Sequence, residues 1–328
     1  MTERNKQTTV DLKNLKVGGF IKERGRDLFT VRLRVPGGRL SVKRLIKIAQ
    51  VAERYGGEFV HLSVRQSIEL VNINFRDFDA VVTELGESGQ QVASCGARVR
   101  VPVACGGCEY NPNGLMDTQQ SALDVDLQLF GTATGHHKFK VGFSGCPHDC
   151  PKAAINDVGF VGIVEPELDS AACLGCGLCF ETCRELAITE GESRKPVYHR
   201  HNCLLCGDCV KVCPADAWTV RQRGYAVYAG GKWGRKPVVG TLVALFLPGE
   251  EVVAFIAEIL DWYGAAADGK GRVRLGQVIL EKGINGFHDH LRTKFPHYVV
   301  TDFGSPTVID TRLRGNLPGQ PLSDSDFG

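Results

Sequence analysis

Cys173, Cys176, Cys179 and Cys183 follow the spacing C-x2-C-x2-C-x3-C, and Cys203, Cys206, Cys209 and Cys213 repeat it, with Pro214 directly behind. Three thiolates two residues apart wrap one corner of an iron–sulfur cube, and in a doubled run the fourth thiolate comes from the other copy. The pattern therefore predicts two 4Fe-4S clusters. One takes Cys173, Cys176, Cys179 and Cys213; the other takes Cys203, Cys206, Cys209 and Cys183. Zinc knuckles are the alternative, although zinc sites use two separated ligand pairs rather than a run of four. A segment of this kind moves electrons.

Cys105, Cys108, Cys146 and Cys150 form a further ligand set. Four thiolates suit a third 4Fe-4S cluster, and on spacing alone zinc remains a rival there. Both pairs follow alternating segments that carry cations. Arg98 and Arg100 alternate with Val99, Val101 and Val103 before Cys105, and Lys138 and Lys140 alternate with Phe139, Val141 and Phe143 before Cys146. Arg32 and Arg34 do the same between Val31, Leu33 and Val35. At i, i+2 each cation pair projects from one face of its strand. A single such face is ordinarily solvated, but three of them, two leading into cysteines, suggest a pocket. Like charges gathered there repel by about 4 kcal/mol per close pair at an effective dielectric near 20, so a polyanionic ligand is implied. Arg65, at the end of a strand in Ser63-Val64-Arg65-Gln66, is a further candidate.

The elements that must position these residues read as α+β. Residues 27–35 alternate as a half-buried strand; Pro36-Gly37-Gly38 turns the chain, and Ser41 caps a helix with the apolar stripe Val42, Leu45, Ile46, Ala49 and Ala52, ending at Gly56. Strands near 58–64 and 68–73 and a helix over about 77–87 complete a unit over residues 1–90. Residues 91–165 and 221–314 read as the two parts of a larger α/β domain, interrupted at 166–220 by the cysteine repeat. Cluster ligation would replace a large apolar core in so short an insert. Beyond it lie a strand at Tyr225–Tyr228, a turn from Gly230 to Arg235, and an apolar helix from Glu250 to Tyr263 closed by Gly264. Residues 315–328, rich in Pro, Ser, Asp and Gly, are expected to be a flexible tail.

Composition narrows the partners. Lys and Arg number 39 against 37 Asp and Glu, a balance of +2 that gives no hint of a nucleic-acid or membrane-surface partner. The start of the chain is polar, and the longest apolar run, Val238 to Leu247, is half a membrane span. A cytoplasmic protein is expected, with thirteen cysteines kept as thiols or cluster ligands rather than disulfides.

At these residues the chain resembles the siroheme-dependent sulfite and nitrite reductases, over most of residues 15–300. Arg32-Leu-Arg34-Val-Pro-Gly-Gly looks like the family's Arg-x-Arg-x-Pro-Gly-Gly, and Ser63-Val-Arg65-Gln66 is similar to its Thr-Thr-Arg-Gln. Lys138-Phe-Lys140 followed by Ser144-Gly-Cys146-Pro-His-Asp-Cys150 resembles its Lys-x-Lys and Cys-x3-Cys elements, and Asp157-Val-Gly159-Phe160 also fits. The resemblance is to the small form with an inserted two-cluster ferredoxin domain, the type found in the C subunit of anaerobic sulfite reductase and in its dissimilatory relatives. It implies a sulfite-reductase-type fold, with a ferredoxin-like N-terminal unit beside an α/β siroheme and 4Fe-4S domain. It further implies siroheme coupled through the Cys150 thiolate to one of three 4Fe-4S clusters, and reduction of sulfite to sulfide by six electrons. Arg32, Arg65, Lys232 and Arg235 would hold the cofactor's carboxylates, and Arg34, Arg100, Lys138 and Lys140 would face the substrate. Nitrite, also a small anion that accepts six electrons, is the alternative substrate; an iron–sulfur electron-transfer subunit without siroheme turnover is the alternative of another class.

The chain departs from the family at one cluster position. The usual Cys-x5-Cys would pair Cys105 with position 111, which is Asn111, while Gly114 and Asp117 stay in register. Cys108 is expected to serve instead, with Cys95 in reserve. Arg184 stands where the second run has Pro214. His148, between two ligand cysteines, is expected to touch a ligand. No Gly-rich dinucleotide fingerprint lies between a strand and a helix, so electrons would come from partner subunits or a free ferredoxin, and an oligomer is expected.

Overall fold

The computed structural model describes residues 11–25 and 27–300; the sequence-predicted tail at 315–328 lies outside them. Its first unit runs α1 (Leu12–Val17), β1 (Phe20–Lys22), β2 (Leu28–Arg32), α2 (Val42–Tyr55), β3 (Val60–Leu62), β4 (Ile68–Asn74) and α3 (Phe78–Gly86). The four strands form an antiparallel sheet in the order β1-β2-β4-β3. Strict alternation carries Phe29, Val31, Leu33 and Val35 into a core with Ile48, Val51, Leu70, Ile73, Val81 and Leu85, each worth about 1.5–3 kcal/mol of burial. The same alternation turns Arg32 and Arg34 the other way. The Ser41 hydroxyl accepts from the Arg44 amide and starts α2. The stripe expected on α2 is only partly right: Val42, Leu45, Ile46 and Ala49 are exposed, and Ile48, Val51 and Ala52 face the core. The face turned to β4 and α3 is the buried one, so most of the predicted stripe beside it meets solvent.

The second unit begins with β5 (Val103–Ala104), α4 (Gly107–Tyr110), α5 (Thr118–Leu129), β6 (Val141–Ser144) and β7 (Val158–Leu168). An insert follows, with α6 (Leu178–Thr182), β8 (Ile188–Glu190), β9 (Pro196–Tyr198) and α7 (Asp208–Val212), and the chain returns through β10 (Trp218–Ala229), β11 (Thr241–Leu247), α8 (Val252–Ala266), α9 (Leu275–Lys282) and α10 (Ile284–Lys294). The five-stranded sheet has the order β11-β10-β7-β6-β5; β5, β6 and β7 are parallel and β7, β10 and β11 antiparallel. Residues 169–217 are an outgrowth of the long β7–β10 ribbon, whose ladder runs from Val158 opposite Ala229 to Leu168 opposite Trp218. Its small core is Cys179, Ile188, Cys209 and Trp218.

Two local readings need correction. The segment before Cys105 pairs as a ladder only at Val103–Ala104, with isolated bridges at Arg98 and Val99, because Pro102 supplies no amide donor. Helix α8 runs through Gly264 to Ala266; a helix already packed on the sheet tolerates the roughly 1 kcal/mol that glycine costs. Among the described residues no helix is long and apolar enough to cross a membrane.

Candidate functional site

The parallel pairing of β5 with β6, Ala104 opposite Phe143, brings Cys105 to the end of β6, just before Cys146. The Gly145 amide donates to Cys105 Sγ at 3.0 Å and the Gly107 amide at 3.4 Å. A Cβ on Gly145 would lie 2.8 Å from the Gly107 Cα and 3.5 Å from Cys105 Sγ, so only glycine lets the two loops close around that sulfur. Burial, with Cys105 and Cys150 nearby, raises the Cys146 thiol above its usual range, and His148 Nδ1 stands 3.6 Å from Cys146 Sγ. Cys108 sits exposed on the single turn α4, its amide bonded to the Met116 carbonyl at 3.0 Å. Cys95, the reserve ligand, is buried with its sulfur 3.5 Å from Arg32 Nη1 and beside Arg100.

The same strands gather the cations. The Arg100 amide bonds the Phe139 carbonyl at 2.9 Å and the Phe139 amide bonds the Arg98 carbonyl at 3.0 Å, so the arginine and lysine segments run side by side. Arg65 reaches in from the first unit, donating to Asn156 Oδ1 and the Val101 carbonyl at 2.9 Å each. Gln66 fastens that loop by bonding both the amide and the carbonyl of Ala104, at 2.8 and 2.7 Å. Gln119 ties the Pro-Gly-Gly turn to the cysteine loop through the Gly37 and Cys105 carbonyls, at 3.0 and 2.8 Å. Burial, then Arg100, pulls Arg65 down to about 10. Burial, then Arg65 and Lys138, pulls Lys140 down to about 8. Arg100 and Lys138 are lowered for the same reasons, with Arg274 acting on both. Arg100 Nε is buried without a hydrogen-bond partner among the described residues; its other nitrogens bond the Ser94 and Gly96 carbonyls, and the Cys95 thiol lies beside the guanidinium. Arg65, Lys138 and Lys140 thus share one buried carboxylate, Asp157, which Arg274 already pairs, an excess of positive charge that favours an anion.

Arg32 borders this group, bonded to Glu69 at 2.7 Å. Lys232 is half-buried, and after burial the charges of Arg274 and Lys236 lower it; Arg235 is exposed. Arg34, expected to face the substrate, is not brought there. Its guanidinium binds Asp126 Oδ2 and the Asp126 carbonyl at 2.8 Å each and stacks 4.1 Å from the centre of Phe130, because α5 presents Asp126 at that point. Asp126 is almost wholly inaccessible. Arg34→Leu is therefore expected to cost about 3 kcal/mol by stranding a buried carboxylate, seen as a lower denaturant midpoint with unchanged slope.

Arg274 was missed in the sequence, although Arg272-Val273-Arg274-Leu275 shows the same i, i+2 alternation as the other cation pairs. It lies in the segment before α9 and binds Asp157 with two bonds, at 2.9 and 2.7 Å.

In the insert, Cys173, Cys176, Cys179 and Cys213 line one hollow together with Trp218. Cys176 and Leu174 are exposed at its rim. The Gly175 amide points at Cys173 Sγ and the Leu205 amide at Cys203 Sγ, at 3.5 and 3.3 Å, the same contact in each copy. The second copy faces the body of the protein: the Val164 amide bonds the Leu205 carbonyl at 3.0 Å, and Lys211 Nζ bonds Asn113 Oδ1 at 3.2 Å. Burial pushes Cys206 up to about 11 and Cys209 up to about 12, so an added metal charge is what would make thiolates of them. The Tyr198 hydroxyl and Trp218 indole N–H are buried without a well-placed partner, and they face the sulfurs of Cys203 and Cys179. Among the described residues no three His, Cys, Asp or Glu side chains converge on a point that one metal ion could occupy.

Residues 95–298 match the family model for the nitrite and sulphite reductase 4Fe-4S domain, and residues 21–88 match that for the nitrite/sulfite reductase ferredoxin-like half domain. Coenzyme F420-dependent sulfite reductase of Methanocaldococcus jannaschii is 34% identical over 277 residues, covering 84% of this chain and 44% of that protein. The chain thus spans less than half the length of that relative. The C subunit of anaerobic sulfite reductase from Salmonella typhimurium is 27% identical over 292 residues, 82% of this chain and 84% of that one. Dissimilatory sulfite reductase I superposes with a TM-score of 0.67 at 20% identity, over 92% of this chain and 77% of its own, a likeness of fold.

Proposed function

The chain belongs to the nitrite and sulphite reductase family, and from that premise we propose that it reduces sulfite to sulfide by six electrons. The cofactors in this reading are siroheme, a 4Fe-4S cluster sharing the Cys150 thiolate with it, and two further clusters in the insert, which acts as a ferredoxin domain. The observation that carries the reading is the cation cluster: Arg65, Arg100, Lys138 and Lys140 crowd together beside segments that lead to Cys105 and Cys146. Siroheme, if held by these residues, would supply the electron-rich iron chemistry that reduction of a small anion needs.

The chain's own groups supply the rest. Arg32, Arg65, Lys232 and Arg235 are assigned to the carboxylates of the tetrapyrrole. Arg100, Lys138 and Lys140 are assigned to the oxygens of the substrate, where fixed cations stabilise departing charge. Lys140, with its ammonium brought down to about 8, gives up a proton readily near neutral pH, and oxygen leaving as water needs protons. Cys105, Cys108, Cys146 and Cys150 are assigned to the coupled cluster. The outer set, with exposed Cys176, would hold the cluster nearer to solvent, and the inner set, against Val164 and Asn113, would hold the one nearer to the body of the protein. A ferredoxin or a partner subunit is the donor, within an oligomer in the reducing cytoplasm.

Two measurements test this. Anaerobically purified protein should show the red absorption band of an isobacteriochlorin, and with reduced viologen it should consume sulfite faster than nitrite. Cluster absorption alone, with no turnover of either anion, would leave an electron-transfer subunit.

Anion affinity should also depend on pH. The Lys140 ammonium is charged below its value of about 8 and neutral above it. Binding of inorganic sulfite should therefore weaken as pH rises from 7 to 9, and Lys140→Arg, which stays charged, should remove that added weakening in an equilibrium titration.

A further inference from the structure

Asp157 is out of place in a site made for anions. Its side chain is 1% exposed, and its charge is felt by Arg65, Lys138 and Lys140. A free carboxylate there would repel the ligand that the cations attract. Yet the chain needs it: Asp157 Oδ2 accepts from the Lys140 amide at 2.8 Å, and its carbonyl accepts from the Gly230 amide at 2.8 Å. One residue thus ties the start of β6 to the start of β7 and to the turn after β10.

Arg274 resolves the conflict. Its Nε and Nη2 cover both Asp157 oxygens, a bidentate pair that an ammonium could not reproduce. Its backbone is fixed as well. The Arg274 carbonyl accepts from the Gln277 and Val278 amides at 3.0 and 3.1 Å. Val273 and Leu275 on either side are buried, and the Tyr263 hydroxyl donates to the Val273 carbonyl.

We infer that Arg274 is a positioning residue for the anion site: it neutralises Asp157, so that Asp157 can hold the Lys140 strand in register without cancelling the positive field of the pocket. This rests on reading the pocket as an anion site and adds a residue from outside the cation strands to it.

The test compares Arg274→Gln, Asp157→Asn and the double variant with the wild-type chain as purified. Tetrapyrrole per chain is read from absorbance, and affinity for inorganic sulfite from an equilibrium titration. Arg274→Gln should weaken sulfite binding about tenfold or more and lower tetrapyrrole content, as losses around a metal site commonly do. Adding Asp157→Asn should recover most of the sulfite affinity, because the stranded charge is gone. A role in folding alone would lower thermal midpoints without that recovery. The inference is overturned if Arg274→Gln binds sulfite like the wild type, or if the double variant binds no better than Arg274→Gln. If Arg274→Gln does not accumulate, the double variant must fold and bind, or the inference fails. Wild-type protein without tetrapyrrole would sink the reductase proposal, while the sulfite affinities still judge Arg274. Wild-type protein that binds no sulfite sinks both.

Discussion

Arg100→Met is expected to lower kcat for sulfite by about 10²–10³-fold, the cost of removing one preorganised charge from a reacting centre, while iron and acid-labile sulfide stay at wild-type levels. Two features of Arg100 make the effect large. Its Nε is buried with no hydrogen-bond partner among the described residues, so the group is already desolvated. Its remaining nitrogens rest on the Ser94 and Gly96 carbonyls, which leave its charge uncancelled. Methionine fills much of the same volume without the charge, so the fold should survive. Arg100→Lys should recover only part of the rate, since an ammonium cannot keep both carbonyl bonds and the free N–H. A variant with wild-type kcat would place the reacting anion elsewhere.

Cys108→Ser is expected to remove one of the three proposed clusters and with it sulfite turnover, while electrons still reach the two clusters of the insert. The expectation follows from position. The β5–β6 pairing brings Cys105 to the loop of Cys146, Cys150 belongs to that same loop, and Cys95 is buried against Arg32. Cys108, exposed on a single helical turn, is the thiol left to complete the set. Asn111 ends the same short turn, with its amide bonded to the Gly107 carbonyl at 3.3 Å. Asn111→Cys placed on Cys108→Ser should therefore restore the cluster. Iron analysis and low-temperature electron paramagnetic resonance read both outcomes. Full iron content and turnover in Cys108→Ser would show that the centre holds with three thiolates.

Much of the fold could be read from residue order. Alternation located β2 and β6, though the ladder begins at Val141 rather than Phe139, and the Ser41 cap located the start of α2, because those signals come from neighbours along the chain. The errors came from contacts between distant segments. The face of α2 that is buried is set by where β4 and α3 lie, and α8 passes Gly264 because its packing outweighs a local preference.

The cation site divides in the same way. Residue type and spacing determined by themselves that twelve cysteines form three candidate ligand sets and that paired cations precede two of the cysteine pairs, because both patterns are local in sequence. Which cations meet was decided by tertiary structure alone. Arg34 shares the alternation of Arg32 but is claimed by Asp126, 92 residues away, while Arg274 joins the pocket through Asp157, 117 residues away. Charge acts through space and over a few ångströms, so its partners are chosen by where the sheets and helices come to rest.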